Sequence, residues 1–156
     1  MEKVAQLDLK PIAYKLMHPD EGEGWARERI IQAVGMYRKH LVLNGTHPEQ
    51  AIVPTPDVDI VWHTHMSDSA KYRADCNYLF GAFLDHFPYF GIRDEDDAKD
   101  LKRSFAKTRK LYVEVFGHDP CVESVSTTSL RPRSCIGNGC HNDYKDEKRP
   151  TVDFLV

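Results

Sequence analysis

No stretch of this chain approaches the roughly 18–20 consecutive apolar residues that would span a bilayer, so a membrane is not an expected partner. The opening MEKVAQLDLK lacks the apolar core of a signal peptide, and the expected location is the cytoplasm. A basic excess is missing as well. The net charge is −3, and the clusters Arg27/Arg29, Arg38-Lys39 and Lys107/Arg109-Lys110 read as solvated helix faces, so nucleic acid is not expected either. There is no P-loop and no GxGxxG, which argues against nucleotide chemistry. There is no GxSxG elbow to support a hydrolase serine. A paired CxxC zinc pattern is absent, and so is any internal repeat. The four cysteines, Cys76, Cys121, Cys135 and Cys140, are expected to be mostly reduced in the cytoplasm.

What is present is enough chain, 156 residues, to bury one hydrophobic core. Apolar residues at 41% and charged residues at 29% fit a soluble globular protein. The expected architecture is mainly α: a single-domain bundle of about four to five helices over residues 1–118, followed by an irregular tail over 119–156. Pro11 starts a short helix carrying Ile12 and Leu16, and His18-Pro19 ends it. A long helix is expected from about Asp20, where Asp20, Glu21 and Glu23 favour a helix N-terminus, to Leu43 before Asn44-Gly45. Ile30, Val34, Tyr37 and Leu41 form its buried stripe, and His40 reads as a surface histidine in its last turn. A loop punctuated by Gly45, Pro48, Pro54 and Pro56 follows.

Thr55 and Pro56 supply the cap and first position of a helix over 56–66. Both of its faces carry apolar residues, as in a helix at the centre of a bundle. A strand is the competing reading, because Asp59, Val61, His63 and His65 also alternate with Val58, Ile60 and Trp62. A further helix is expected from Ser69 to about Asp85, with a stripe of Tyr72, Cys76, Leu79 and Phe83 that His86 extends at or past its end. The last helix runs from about Asp94 to Phe116, opened by an acidic run and closed by Gly117. The acidic run complements the helix dipole, and no EF-hand ligand spacing is present.

Side chains that bind metals or move protons concentrate between Asp57 and Gly91. Asp59, His63, His65 and His86 offer oxygen and imidazole donors that zinc, iron and copper all accept. The ligand set depends on the local backbone. In a helix, Asp59 and His63 at i, i+4 share a face while His65 points about 160° away. The ligands are then Asp59, His63 and His86, with His65 in support or paired to an acid. In a strand, His63 and His65 face the same way. The competing reading is a purely structural hydrogen-bond network. Cys76, Tyr72 and Asp75 are the candidate catalytic or substrate-positioning residues, and Cys76 equally reads as a small hydrophobe on its stripe. In the tail, Cys135, Cys140 and His141 have no standard zinc-knuckle spacing. The intervening Ile-Gly-Asn-Gly is flexible enough to close on an ion or to allow a disulfide, and the tail to fold back over the site. An unstructured tail with free thiols is the alternative.

LDLKPIAYKL, then Gly24-Trp25 and Tyr37-Arg38, then Asp59, Trp62, His63 and His65 as D-x-x-W-H-x-H, then Tyr72, Asp75 and Cys76 as Y-x-x-D-C, form one pattern. Phe80-Gly81 and His86 to Gly91 complete it. Over roughly residues 7–118 the chain resembles the glycine-rich domain-containing protein-like family. The resemblance implies a mostly helical domain without an established catalytic mechanism. Relatives often continue into a Gly- and Cys-rich segment, of which this chain has only the short Cys135 to Cys140 version.

Two functions follow. The first is a small metal-dependent enzyme, carrying out an oxidative or tailoring reaction on a small molecule or peptide through a divalent transition metal, zinc, iron or copper. The second is a non-catalytic interaction module stiffened by the His/Asp/Trp cluster.

Overall fold

The structure is a computed structural model that describes residues 2–123 and 149–155. It is mainly helical, with no strand among the described residues. The helices are α1 (Glu2–Ala5), α2 (Lys10–Met17), α3 (Arg27–Thr46), α4 (Pro56–Ser67), α5 (Ser69–Phe80), α6 (Glu95–Phe116) and α7 (Pro120–Glu123). The helical reading of 56–66 holds, and with it the divergence of His63 and His65. None of these helices is long and apolar enough to cross a membrane.

Helix α4 lies at the centre and packs on α2, α3 and α5. The main core gathers Leu9, Ile12 and Leu16 from the α2 region, Ile30, Val34, Tyr37 and Leu41 from α3, and Val58, Val61 and Trp62 from α4. Tyr72 and Cys76 close it from α5. A smaller cluster, Leu43, Ile52, Leu111 and Tyr112, seats α6 against α3 and the 47–55 connection. The Tyr112 hydroxyl donates to the Met36 carbonyl at 2.9 Å, and the Val53 N–H donates to Thr108 Oγ1 at 3.0 Å.

That connection has a long way to go. Arg29, at the start of α3, forms a two-pronged ion pair with Asp57, at the start of α4, at 2.7 and 3.1 Å. The chain leaves α3 only after Thr46, about 25 Å further along the helix axis at 1.5 Å per residue. Residues 47–55 carry it back, opening with a turn in which the Gln50 N–H donates to the His47 carbonyl at 3.0 Å.

Several boundaries differ from expectation for identifiable reasons. Helix α3 begins at Arg27, not Asp20. The intervening residues form a loop in which Gly22 and Gly24 both donate to the His18 carbonyl, at 3.0 and 3.2 Å. Its acidic residues therefore serve no helix dipole; the backbone N–H groups of Asp20 and Glu21 donate to His18 Nδ1. Gly24 has a positive φ of 61°, and a Cβ at Gly22 would sit 1.7 Å from the Lys15 carbonyl oxygen. Asn44-Gly45 does not stop α3. Asn44 Nδ2 donates back to the His40 carbonyl, and a Cβ on Gly45 would sit 3.0 Å from the Phe80 ring. Helix α5 ends at Phe80, because Gly81 takes a left-handed conformation (φ 70°), and Phe83 is therefore on the surface. Helix α6 matches expectation: Asp94 caps it by accepting from Asp96 and Asp97, and Gly117 ends it at φ 80°.

Arg29 and Arg38 are not simply solvated. The Arg29 guanidinium lies 3.9 Å from the Trp25 ring centre, and Arg38 donates to the Val4 and Leu7 carbonyls near the end of α1.

Residues 149–155 return to the bundle. Val152 and Leu155 are buried in the main core, Arg149 forms a two-pronged pair with Asp68, and Arg27 lies over the Phe154 ring. Cys135, Cys140 and His141 lie outside the described residues. Replacing Leu155 with Ala should cost about 2–3 kcal/mol, the usual loss for a leucine taken from a core. Urea unfolding of the full chain measures it, and an unchanged midpoint would show that this segment does not hold the bundle together.

Candidate metal centre

The six residues singled out around α4 and α5, together with His86, fall into two groups on opposite sides of α4. On one side, Asp59 and His63 project from successive turns of α4, and His86 reaches them from the segment after Gly81. His63 Nε2 lies 3.2 Å from His86 Nε2, His86 Nε2 lies 3.4 Å from Asp59 Oδ1, and His63 Nε2 lies 3.7 Å from Asp59 Oδ1. Donor atoms 2.0–2.1 Å from a tetrahedral ion stand about 3.3 Å apart, so this triangle has the edges of one face of a metal polyhedron. The side chains of His63 and Asp59 are 53% and 41% exposed, and that of His86 is 16% exposed. The face opens to solvent on the His63 side and is backed by protein behind His86, whose ring stands edge-on to Trp62 at 4.7 Å. Asp59, His63 and His86 are also the one grouping of three or more His, Cys, Asp or Glu with converging donor atoms among the described residues.

On the other side, His65 is 1% exposed and fully engaged. Its Nδ1 is 2.9 Å from the Tyr37 hydroxyl, and its Nε2 is 2.9 Å from Asp75 Oδ2. The Asp75 carboxylate can only accept, so Nε2 carries the proton between them, and Asp75 also accepts from Lys71 at 2.8 Å. Nδ1 then accepts from the Tyr37 hydroxyl, whose pKa burial raises well above its ordinary value. Burial opposes the Asp75 charge, but the His65 and Lys71 hydrogen bonds outweigh it and hold the carboxyl below its ordinary range. His65 thus takes no part in the donor triangle and is paired to an acid.

Tyr72 and Cys76 are buried beneath both groups, on α5. The Tyr72 hydroxyl accepts from Trp62 Nε1 at 2.8 Å and donates to the Leu84 carbonyl at 2.6 Å. Burial raises the Tyr72 pKa. Cys76 is a buried free thiol, and burial pushes its pKa up although the Leu84 backbone N–H and the Tyr72 hydroxyl pull the other way. A protonated, enclosed thiol is a poor nucleophile.

His40 overturns its reading as a surface residue. It is 1% exposed, 5.0 Å from the Trp62 ring, and neither ring nitrogen has a hydrogen-bond partner among the described residues. The signal was available: Ala33, Met36, His40 and Leu43 follow spacings of 3, 4 and 3, a second buried stripe beside the one read from Ile30 to Leu41. Thr55 occupies the N-cap position of α4 as expected, but its side chain makes no cap bond, and its buried Oγ1 has no partner among the described residues.

Burial, and secondarily the charge of His86, lowers the His40 pKa to about 3. The folded value lies below the ordinary 6.5, so the stability linked to neutral His40 is complete above pH 6.5 and is lost as pH falls from there toward 3. At pH 4.5 the loss relative to pH 7.5 should be about 2–3 kcal/mol. Urea midpoints at the two pH values, wild type beside His40→Leu, check this: the variant should show a shallower acid decline, and parallel declines would count against it.

Residues 23–75 match the family model described as GRDP-like, Glycine-rich domain-containing protein-like. The matched span holds Asp59, His63, His65, Tyr72 and Asp75, and ends before Cys76 and His86. The chain is similar to Glycine-rich domain-containing protein 1 of Arabidopsis thaliana, 34% identical over 92 residues that make up 56% of this chain and 11% of that protein. It is also similar to Glycine-rich domain-containing protein 2 of the same plant, 32% identical over 92 residues with the same coverage. The chain thus spans about a tenth of the length of the curated relatives it matches. No solved structure matches it. Through residues 23–75, the chain resembles the glycine-rich domain-containing protein-like family.

Proposed function

We propose that Asp59, His63 and His86 hold a divalent transition metal ion, zinc, iron or copper, and that the protein is a small metal-dependent enzyme. The observation that carries this reading is the triangle of donor atoms, with edges of 3.2, 3.4 and 3.7 Å and a face open to solvent. Three protein ligands leave positions for water and substrate, as catalytic rather than structural sites do. Two histidines and one carboxylate are also the donor set of non-haem iron oxygenases, which supports an oxidative or tailoring reaction on a small molecule or peptide. The ion would polarise a bound water or substrate oxygen, and Trp62 behind His86 shields one side of the site from solvent. This reading places the protein in the cytoplasm, where the Cys76 thiol stays reduced.

A second reading, a non-catalytic interaction module, draws on the other half of the cluster. The Tyr37–His65–Asp75–Lys71 network is buried and satisfied, as a purely structural device would be.

Substitutions separate the two. Metal content and zinc, iron or copper titration of purified protein should give about one equivalent per chain. His63→Ala, His86→Ala and Asp59→Ala should each weaken binding about 100-fold or more while leaving the fold intact. His65→Ala should do the reverse, keeping the ion and losing about 3 kcal/mol of stability, because it strands the buried Tyr37 hydroxyl and leaves Asp75 with Lys71 as its remaining partner. No metal in wild-type protein purified without chelator, together with no binding on titration, would leave the interaction module as the working reading.

A further inference from the structure

The segment that delivers His86 is irregular. It runs from Gly81 to Asp94, and its backbone–backbone hydrogen bonds, Gly81 to Asn77 and Ile92 to Tyr89, lie toward its two ends. On either side of Ile92 the segment is tied down by Asp97, whose carboxylate accepts from the Gly91 and Arg93 N–H groups. A histidine on such a segment would sample many positions unless something fixed the chain close to it. Leu84, two residues before His86, meets α5 at both ends of its backbone. Its carbonyl accepts from the Tyr72 hydroxyl at 2.6 Å, and its N–H interacts with the Cys76 sulfur. Tyr72 and Cys76 stand one turn apart on α5, so they grip one residue between them. The Tyr72 hydroxyl is itself held by Trp62 Nε1 at 2.8 Å, and Trp62 is the ring against which His86 packs. Phe83 adds an edge-on contact to Tyr72 at 5.2 Å.

We infer that Tyr72 and Cys76 are positioning residues that clamp Leu84 and thereby hold His86 in register with Asp59 and His63. The inference deepens the metal-centre reading and rests on it for its effect on affinity. The clamp itself, a statement about the 82–87 backbone, does not need an ion. The arrangement gives a tyrosine and a cysteine on one buried face of α5 a shared role. Removing the Tyr72 hydroxyl leaves the Trp62 N–H and the Leu84 carbonyl without their partner, and the arm gains freedom. Partners that orient a metal-ligating histidine typically change affinity by about 10–100-fold when lost.

Two measurements on the full chain test this. Zinc affinity, by competition with a chromophoric chelator, should fall about 10–100-fold in Tyr72→Phe. Cys76→Ala should fall about tenfold, and Cys76→Ser, which keeps an acceptor for the Leu84 N–H, should return toward wild type. Hydrogen exchange on metal-free protein should show faster exchange over residues 82–87 in Tyr72→Phe and Cys76→Ala, with α4 unchanged. Wild-type zinc affinity and unchanged exchange in both variants would overturn the clamp. If wild type binds neither zinc, iron nor copper but the variants speed exchange over 82–87, the metal reading fails and the clamp stands. If Tyr72→Phe does not fold, the Cys76 pair decides.

Discussion

The rotation of α4 about its own axis decides where its polar side chains point, and its buried face of Val58, Val61, Trp62 and His65 sets it. His65 is held from two sides, by the Tyr37 hydroxyl on α3 and the Asp75 carboxylate on α5. A buried imidazole with both nitrogens engaged has little room to turn, because each lost bond strands a polar group in the core. Turning α4 by one residue would move its side chains by about 100° and break both bonds. With His65 fixed inward, Asp59 and His63 have to point out of the opposite side. The polar network and the donor triangle are thus one arrangement, in which the buried half aims the exposed half.

The other donor arrives by different means. Helices α4 and α5 place their side chains through backbone geometry, whereas His86 is on a segment whose course is set by side chains gripping its backbone. Asp97 holds the far end through Gly91 and Arg93, and Tyr72 holds the near end through Leu84. Each is an α-helical residue reaching out of its own helix to a neighbouring segment. Uneven exposure follows from this: His63 and Asp59 lie on an open helix face, while His86 is tucked against Trp62.

Much of this was legible in the sequence, for reasons that can be named. Thr55-Pro56 and the acidic residues after it marked α4 as a helix, and helical geometry then separated His63 from His65. The acidic run at Asp94 and the glycine at Gly117 bounded α6 because caps act locally. Features that depend on distant chain were not legible. His40 sits in a last turn where charged neighbours suggested solvent, yet Trp62 covers it. The 20–26 loop has the charges of a helix start, but Gly24 at positive φ and contacts to His18 and Leu16 turn it into a connection. Nor did Arg149-to-Leu155, which reads as tail, show that Val152 and Leu155 complete the core. Tyr72 and Cys76 were singled out for their residue types; the Leu84 carbonyl that accepts from the Tyr72 hydroxyl has no residue signature at all.

The 47–55 connection has one more implication. Surface loops usually accept insertions and deletions, since their ends stay close whatever lies between. Here the ends are pinned far apart, by the Arg29–Asp57 pair at one end and the close of α3 at the other, and the path between is tied to α6 through Ile52 and Val53. The segment works as a strut of fixed measure. Related chains that keep this bundle should vary in the residues they place there and hold its length nearly constant, and a lost residue would be felt as a tilt of α4 and of the side chains it carries.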